Sequence, residues 1–222
     1  KALEGRIFSG RLYLVSVGKA AWKMAQTAVS RLEQPIEDGI VVTKYDHVEH
    51  PLEGITCYEA GHPVPDGNSF AATQAVLDMT AELGAEDTVL FLLSGGGSAL
   101  FEKPLVEPEV LQEVTRILLG AGADITRINT IRKRLSAVKG GRFAAHCAPA
   151  RIESIILSDI LGDPVDMIAS GPAAADPVTA EEAKRIGVRY GVAQLPGVAA
   201  CLETETPKKT PNVRTQIIGS VR

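Results

Sequence analysis

Long apolar runs are missing from this sequence: none approaches the roughly 20 consecutive apolar residues that a membrane-spanning helix requires. The opening residues carry no secretory-leader pattern, so a membrane is not an expected partner. An excess of positive charge is missing too. The 23 Lys and Arg are outnumbered by 27 Asp and Glu, for a net charge of −4. Neutralising a phosphate backbone needs a concentrated basic surface, so nucleic acid is not an expected partner either. Cysteine is scarce. Cys57, Cys147 and Cys201 fit neither a zinc motif nor a disulfide framework, as expected of thiols in a reducing, cytoplasmic setting. His47, His50, His62 and His146 lack metal-ligand spacing and are given no catalytic task. Internal repeats and low-complexity tracts are also lacking.

What is present is a folded domain's composition. With 45% of 222 residues hydrophobic, the chain is long and apolar enough to bury a sizeable core. The order of its patterns is strand, loop, helix, repeated. Near-continuous apolar runs at residues 12–17, 39–43, 88–93 and 152–157, with further strands at 55–59 and 213–218, read as strands buried on both faces. Helical patterns lie between them. Residues 20–34 place Ala21, Met24, Ala25, Ala28, Val29 and Leu32 on one stripe, with Pro35 as the stop. Asn68 or Ser69 is the expected cap of a second helix that Gly84 closes. Residues 108–119, 124–135, 141–148 and a segment opened by the Thr179–Glu182 capping pattern read as further helices. The alternation predicts an α/β fold: a mostly parallel, Rossmann-like three-layer sheet with helices on both faces. Proline and charge increase near 195–197 and 206–211, where a boundary is expected.

Ligands of such sheets bind beyond the carboxyl ends of the strands, and the chemically distinctive loops follow strands here. Ser94, Gly95, Gly96, Gly97 and Ser98 leave the apolar run at 88–93. Glycines turn tightly and let a phosphate or carboxylate approach the backbone. The same run could be a flexible turn, and it is neither a Walker A nor a dinucleotide fingerprint. Gly18 and Lys19 stand where a strand meets a helix start. A lysine there is electrostatically unfavourable without a negative partner, so it is either a phosphate ligand or a solvated surface cation. Arg127, Arg132, Lys133, Arg134, Lys139 and Arg142 cluster within an otherwise acidic chain, as a solvated helix face or as contacts to an anion. Asp159 and Asp163 share the loop after residue 157. Two such carboxylates could hold Mg²⁺, one could act as a base, or both could be ordinary loop residues. That loop extends through Ser170, Gly171 and Pro172 to Pro177, and its length points to function.

Taken together, Val17-Gly-Lys-Ala20, Gly61-His-Pro-Val-Pro-Asp66, Leu93-Ser-Gly-Gly-Gly-Ser-Ala99, the stretches from Asn129 and Lys139, Ser158-Asp-Ile-Leu-Gly-Asp163 and Ile168-Ala-Ser-Gly-Pro172 resemble, in order, the N-terminal part of glycerate 2-kinases that end in a MOFRL-type domain. The resemblance covers essentially the whole chain. It implies transfer of the ATP γ-phosphate to D-glycerate, giving 2-phosphoglycerate, with a divalent cation, in a cleft between two α/β domains. Lys19 matches the family's active-site lysine. On this reading Ser94–Ser98 cradle a phosphate or the glycerate carboxylate, and Asp159 and Asp163 hold Mg²⁺ or orient the glycerate hydroxyl. Arg132 and Lys139 are supporting cations. Nothing is transferred to Ser220 or Val221, because the family's Asn after Gly-Ser is Val221 here. The chain is expected to be one N-terminal domain, cut at both ends, without the MOFRL-type domain and inactive alone. A homodimer is left open. The rivals are a hydroxypyruvate reductase-type oxidoreductase, which would need a dinucleotide site, and a non-catalytic sugar-acid or nucleotide binding module.

Overall fold

The computed structural model describes residue 3, residues 5–158, residue 162 and residues 164–219. Strands β1 (Leu12–Val17), β2 (Asp38–Lys44), β3 (Ile55–Ala60), β4 (Thr88–Ser94), β5 (Arg151–Leu157) and β6 (Val213–Gly219) form one sheet in the order β3-β2-β1-β4-β5-β6. Every neighbouring pair is parallel. The alternating α/β reading thus holds, with each strand within a residue or two of its expected bounds. The strands β1 and β4 are buried along their whole length, which is why both read as unbroken apolar runs rather than alternating ones.

Helix α1 (Ala21–Arg31) covers one face. Its small residues Ala21, Ala25 and Ala28 let Trp22 and the helix backbone approach Leu12, Leu14, Val41, Leu90 and Leu92 closely. The expected stop at Pro35 comes a turn early: Leu32 is already extended, with ψ 131°. Helices α2 (Gly67–Met79) and α6 (Arg142–Cys147) contribute to the opposite face. There Phe91, Phe101 and Phe143 pack with ring centroids 5.1–6.0 Å apart, each worth about 1.5–3 kcal/mol of burial. The cap of α2 is Asp66, not Asn68 or Ser69. Its carboxylate accepts from the Ser69 N–H, and the Ser69 hydroxyl receives the Asp66 N–H in return. Between β4 and β5 stand the one-turn helix α3 (Gly97–Leu100), α4 (Pro108–Gly120) and α5 (Ile125–Arg134). With α7 (Ala180–Arg189) and α8 (Val198–Glu203), helices α4 and α5 build a separate apolar cluster outside the sheet, around Leu118, Ile131, Ala183 and Leu202.

Buried charge joins that outer cluster to the sheet layer. Lys133 reaches Asp166 at 3.1 Å and Asp176 at 3.3 Å. Asp176 also lies 3.8 Å from Arg134 and accepts from the Thr206 hydroxyl at 2.7 Å. Arg142 donates to the carbonyls of Lys133, Arg134 and Ser136 at the end of α5. The boundary expected near residues 206–211 is therefore absent: Thr206 is buried, and the Pro207 carbonyl accepts from the Asp176 N–H. Most of the basic run, for which a solvated helix face and contacts to an anion were both open, is internal scaffolding. Because Asp176 and both cations are buried, Asp176→Asn is expected to cost about 3–5 kcal/mol by leaving cations uncompensated. Denaturant unfolding measures it, and a loss below about 1 kcal/mol, the scale of an exposed pair, would contradict this account of the junction.

Candidate functional site

The strand order reverses between β1 and β4, the switch point at whose carboxyl edge sheets of this kind form their ligand crevice. Two turns meet there. The Lys19 N–H donates to the Gly95 carbonyl at 2.8 Å, and the Ala20 N–H to the Ser94 hydroxyl at 3.1 Å. Ser94 in turn donates to the Val17 carbonyl at 3.4 Å. This approach requires a glycine at 18, where φ is +122° and a Cβ would stand 2.2 Å from Ser94 Oγ. Lys19 itself is exposed and precedes α1, as its sequence context predicted.

The glycine turn is partly a one-turn helix rather than an open loop, since α3 begins at Gly97. Its glycines answer to crowding. At Gly96, φ +90°, a Cβ would lie 3.0 Å from the His62 ring and 3.1 Å from Lys19 Cγ. At Gly97 a Cβ would meet Ala169 Cβ at 2.7 Å. Three segments therefore converge on this turn: Lys19, His62, and the loop after β5. His62 was passed over in the sequence because it has no ligand spacing; the only signal was its place in the Gly61–Asp66 stretch. His47 is also near, its Nδ1 donating to the Lys19 carbonyl at 3.0 Å.

The loop after β5 reaches the glycine turn through strained backbone. Ala169, Ser170 and Gly171 adopt φ of 52°, 62° and 64° in succession, a conformation that costs non-glycine residues roughly 1–3 kcal/mol each. Ser170, fully buried, donates to Asn129 Oδ1 at 3.1 Å. Its one proton is thereby committed, so the 3.0 Å contact with Ser98 has Ser98 donating. Neither Asn129 nor Ser170 was singled out from the sequence as a contact of the glycine turn. Arg132 does reach the turn, donating from Nη2 to the Ser98 carbonyl at 3.1 Å. Asp159 and Asp163 lie outside the described residues. Among the described residues no cluster of three or more His, Cys, Asp or Glu is arranged to hold a metal.

Lys139 is placed differently from its expected role. It is fully buried, 2.8 Å from Glu102, and donates to the Phe101 carbonyl at 2.7 Å. Burial pushes its ammonium down to about 8 against the pull of Glu102. It braces the segment after α3 and presents no charge to the crevice. Around the crevice the cations are instead Lys19 and Arg132. If Gly18 is what lets the two turns meet, Gly18→Ala should part them. The expected cost is about 2–4 kcal/mol from a left-handed alanine plus overpacking, seen as a lowered unfolding midpoint; an unchanged midpoint would count against the contact.

Residues 4–203 match the family model described as "Domain of unknown function (DUF4147)". The chain is 50% identical over 214 residues to the D-glycerate 2-kinase of Thermotoga maritima, covering 96% of this chain and 51% of that protein. The crystal structure of glycerate kinase from Thermotoga maritima superposes with a TM-score of 0.91 at 51% identity, over 94% of this chain and 51% of the other. A relative from Agrobacterium vitis, 41% identical over 90% of this chain and 46% of its own length, carries a provisional hydroxypyruvate reductase name. This chain thus spans about half the length of the curated relatives it matches. With a family model matched over nearly its whole length and a twofold-longer kinase of half-identical sequence beside it, the chain belongs to the DUF4147 family, whose relatives include the glycerate 2-kinases.

Proposed function

We propose that the full-length protein transfers the γ-phosphoryl group of ATP to D-glycerate, giving 2-phosphoglycerate, and that this chain supplies one side of the cleft. The observation that carries the reading is the bonded meeting of the Lys19 turn and the glycine turn at the switch point of a parallel sheet. The half-identical D-glycerate 2-kinase supports the substrate. Phosphoryl transfer asks for charge neutralisation and in-line positioning more than covalent chemistry. Lys19 is assigned to the transferred phosphoryl oxygens. Ser94, Gly95, Gly96, Gly97 and Ser98 form the floor on which phosphate or the glycerate carboxylate rests, and Arg132 supports it from Ser98. Asp159 and Asp163 are assigned to Mg²⁺ or to the glycerate hydroxyl. Two carboxylates four residues apart in the sequence suit a hard cation, which when bound would neutralise phosphate charge. Nearby Asp166 is held by Lys133 and is not assigned to the cation. No helix of the described residues is long and apolar enough to cross a membrane. We assign the protein to the cytoplasm on its three free thiols, which suit a reducing compartment.

A second reading follows from the reductase name of one relative. Tight NADH binding with hydroxypyruvate turnover would favour it, whereas the sequence offers no dinucleotide fingerprint. The assay that separates the readings supplies ATP, Mg²⁺ and D-glycerate to the full-length protein and follows ADP and phosphoglycerate. Lys19→Ala is expected to lower kcat roughly 100- to 1000-fold while ATP binding changes little, because the contact acts mainly in the transition state. A kcat within about twofold of wild type, a difference of only ~0.4 kcal/mol, removes Lys19 from the mechanism. The 222-residue chain alone should fall far below an ordinary enzyme turnover of ~10 s⁻¹.

A further inference from the structure

A cleft of about 580 Å³ lies between residues 63–65 and helix α4, lined by Val64, Pro65 and Phe70 on one side and by Leu111, Thr115 and Leu119 on the other. Two contacts relate it to the glycine turn. Arg132 lines the cleft and donates to the Ser98 carbonyl. His62, one residue before Pro63, packs over Gly96 beside Lys19. The volume falls within the ~300–1,000 Å³ typical of small-molecule sites and far exceeds what a three-carbon acid fills. The walls suit a flat, weakly polar body: two prolines and a phenylalanine face aliphatic side chains, while Val64 and Leu119 stay 60% and 62% exposed. Of the charged lining residues, Glu109 is exposed on α4, Arg116 is held by Glu113 through two hydrogen bonds, and Arg132 is the one that touches the glycine turn, its Nε buried and without a hydrogen-bond partner.

We propose that this cleft is the nucleobase pocket, holding the heterocycle of a nucleotide whose phosphates run past Arg132 to Lys19 and the glycine turn. The inference rests on the phosphotransferase reading and adds to it the place and direction of the nucleotide. Apolar walls contribute by area and shape, and Arg132 marks where base gives way to phosphate. A second cavity, about 350 Å³ beside α1, is lined by Ala20, Met24, Thr27, Leu92, Ile155 and Ile218; it touches the glycine turn through the Ala20 N–H alone and is the smaller of the two, so it is carried into the test as the alternative base site.

The test uses the full-length protein and two probes, ADP and inorganic triphosphate, by calorimetry. Gln112→Trp, at an exposed position of α4 on the cleft wall, is expected to weaken ADP binding at least roughly tenfold by filling the base site. Triphosphate should bind unchanged. Leu119→Ala, a milder change at an exposed site that leaves the fold intact, should weaken ADP about threefold through lost apolar contact. Thr27→Trp, in the second cavity, should do neither. Unchanged ADP binding in both cleft variants, an equal loss of triphosphate, or a loss caused by Thr27→Trp instead would each overturn the proposal. Wild-type turnover of D-glycerate with ATP is measured alongside. If turnover is present while the cleft variants bind ADP normally, the pocket is wrong and the kinase reading stands; if turnover is absent, that reading has failed.

Discussion

Two hydrogen bonds between neighbouring turns hold the crevice open in one shape: the Lys19 N–H to the Gly95 carbonyl, and the Ala20 N–H to the Ser94 hydroxyl. A parallel sheet whose strand order reverses leaves a gap between outgoing connections, but the gap is useful only if its floor is fixed. Here the floor is fixed by one main-chain contact and one to a side-chain hydroxyl, which Gly18 permits because it has no Cβ to strike Ser94. The exposed ammonium of Lys19 is thereby carried at the joined ends of two fully buried strands. A charge so anchored costs little reorganisation when it meets an anion.

The third wall depends on interactions far from the crevice. Ala169 and Ser170 hold left-handed backbone, which is sustained only by surroundings that over-determine it. Those surroundings are on both sides. The Ser170 carbonyl accepts from Gly140 N–H and the Gly171 carbonyl from Gly141 N–H, while Lys133 grips Asp166 earlier in the loop. Buried Lys133, Arg134 and Lys139, with half-buried Arg142, thus do their work as scaffold. Each is expensive to bury alone, so each is matched with a carboxylate or with several carbonyls. The consequence for function is a chain of contacts from the helical outer cluster, through Asn129 and Ser170, to Ser98 on the glycine turn.

Much of this was legible in the residues. Buried parallel strands announce themselves as unbroken apolar runs, and Leu12–Val17 and Thr88–Ser94 needed no partner to be recognised. Gly18, Lys19 and the three glycines could be read because ligand loops follow strands. What stayed hidden was pairing across sequence distance. Lys139 looked like a free cation because Glu102, its partner, stands 37 residues earlier and gives no local sign. His62 looked idle because its neighbours, Gly96 and Lys19, arrive from other strands. Asp66 outcompeted Asn68 and Ser69 as a cap because its carboxylate could take part in a reciprocal pair with Ser69. Arg132 alone among the clustered cations kept a contact to the glycine turn, a distinction set by which side of α5 faces Ser98.

The central claim is that the Lys19 turn and the glycine turn together seat the phosphates. A crystal structure of the full-length protein with a non-hydrolysable ATP analogue addresses it directly. The account predicts phosphate oxygens within hydrogen-bonding distance, ~2.7–3.2 Å, of Lys19 Nζ and of the turn formed by Ser94, Gly95, Gly96, Gly97 and Ser98. Phosphates seated elsewhere, with Lys19 in open solvent, would contradict it.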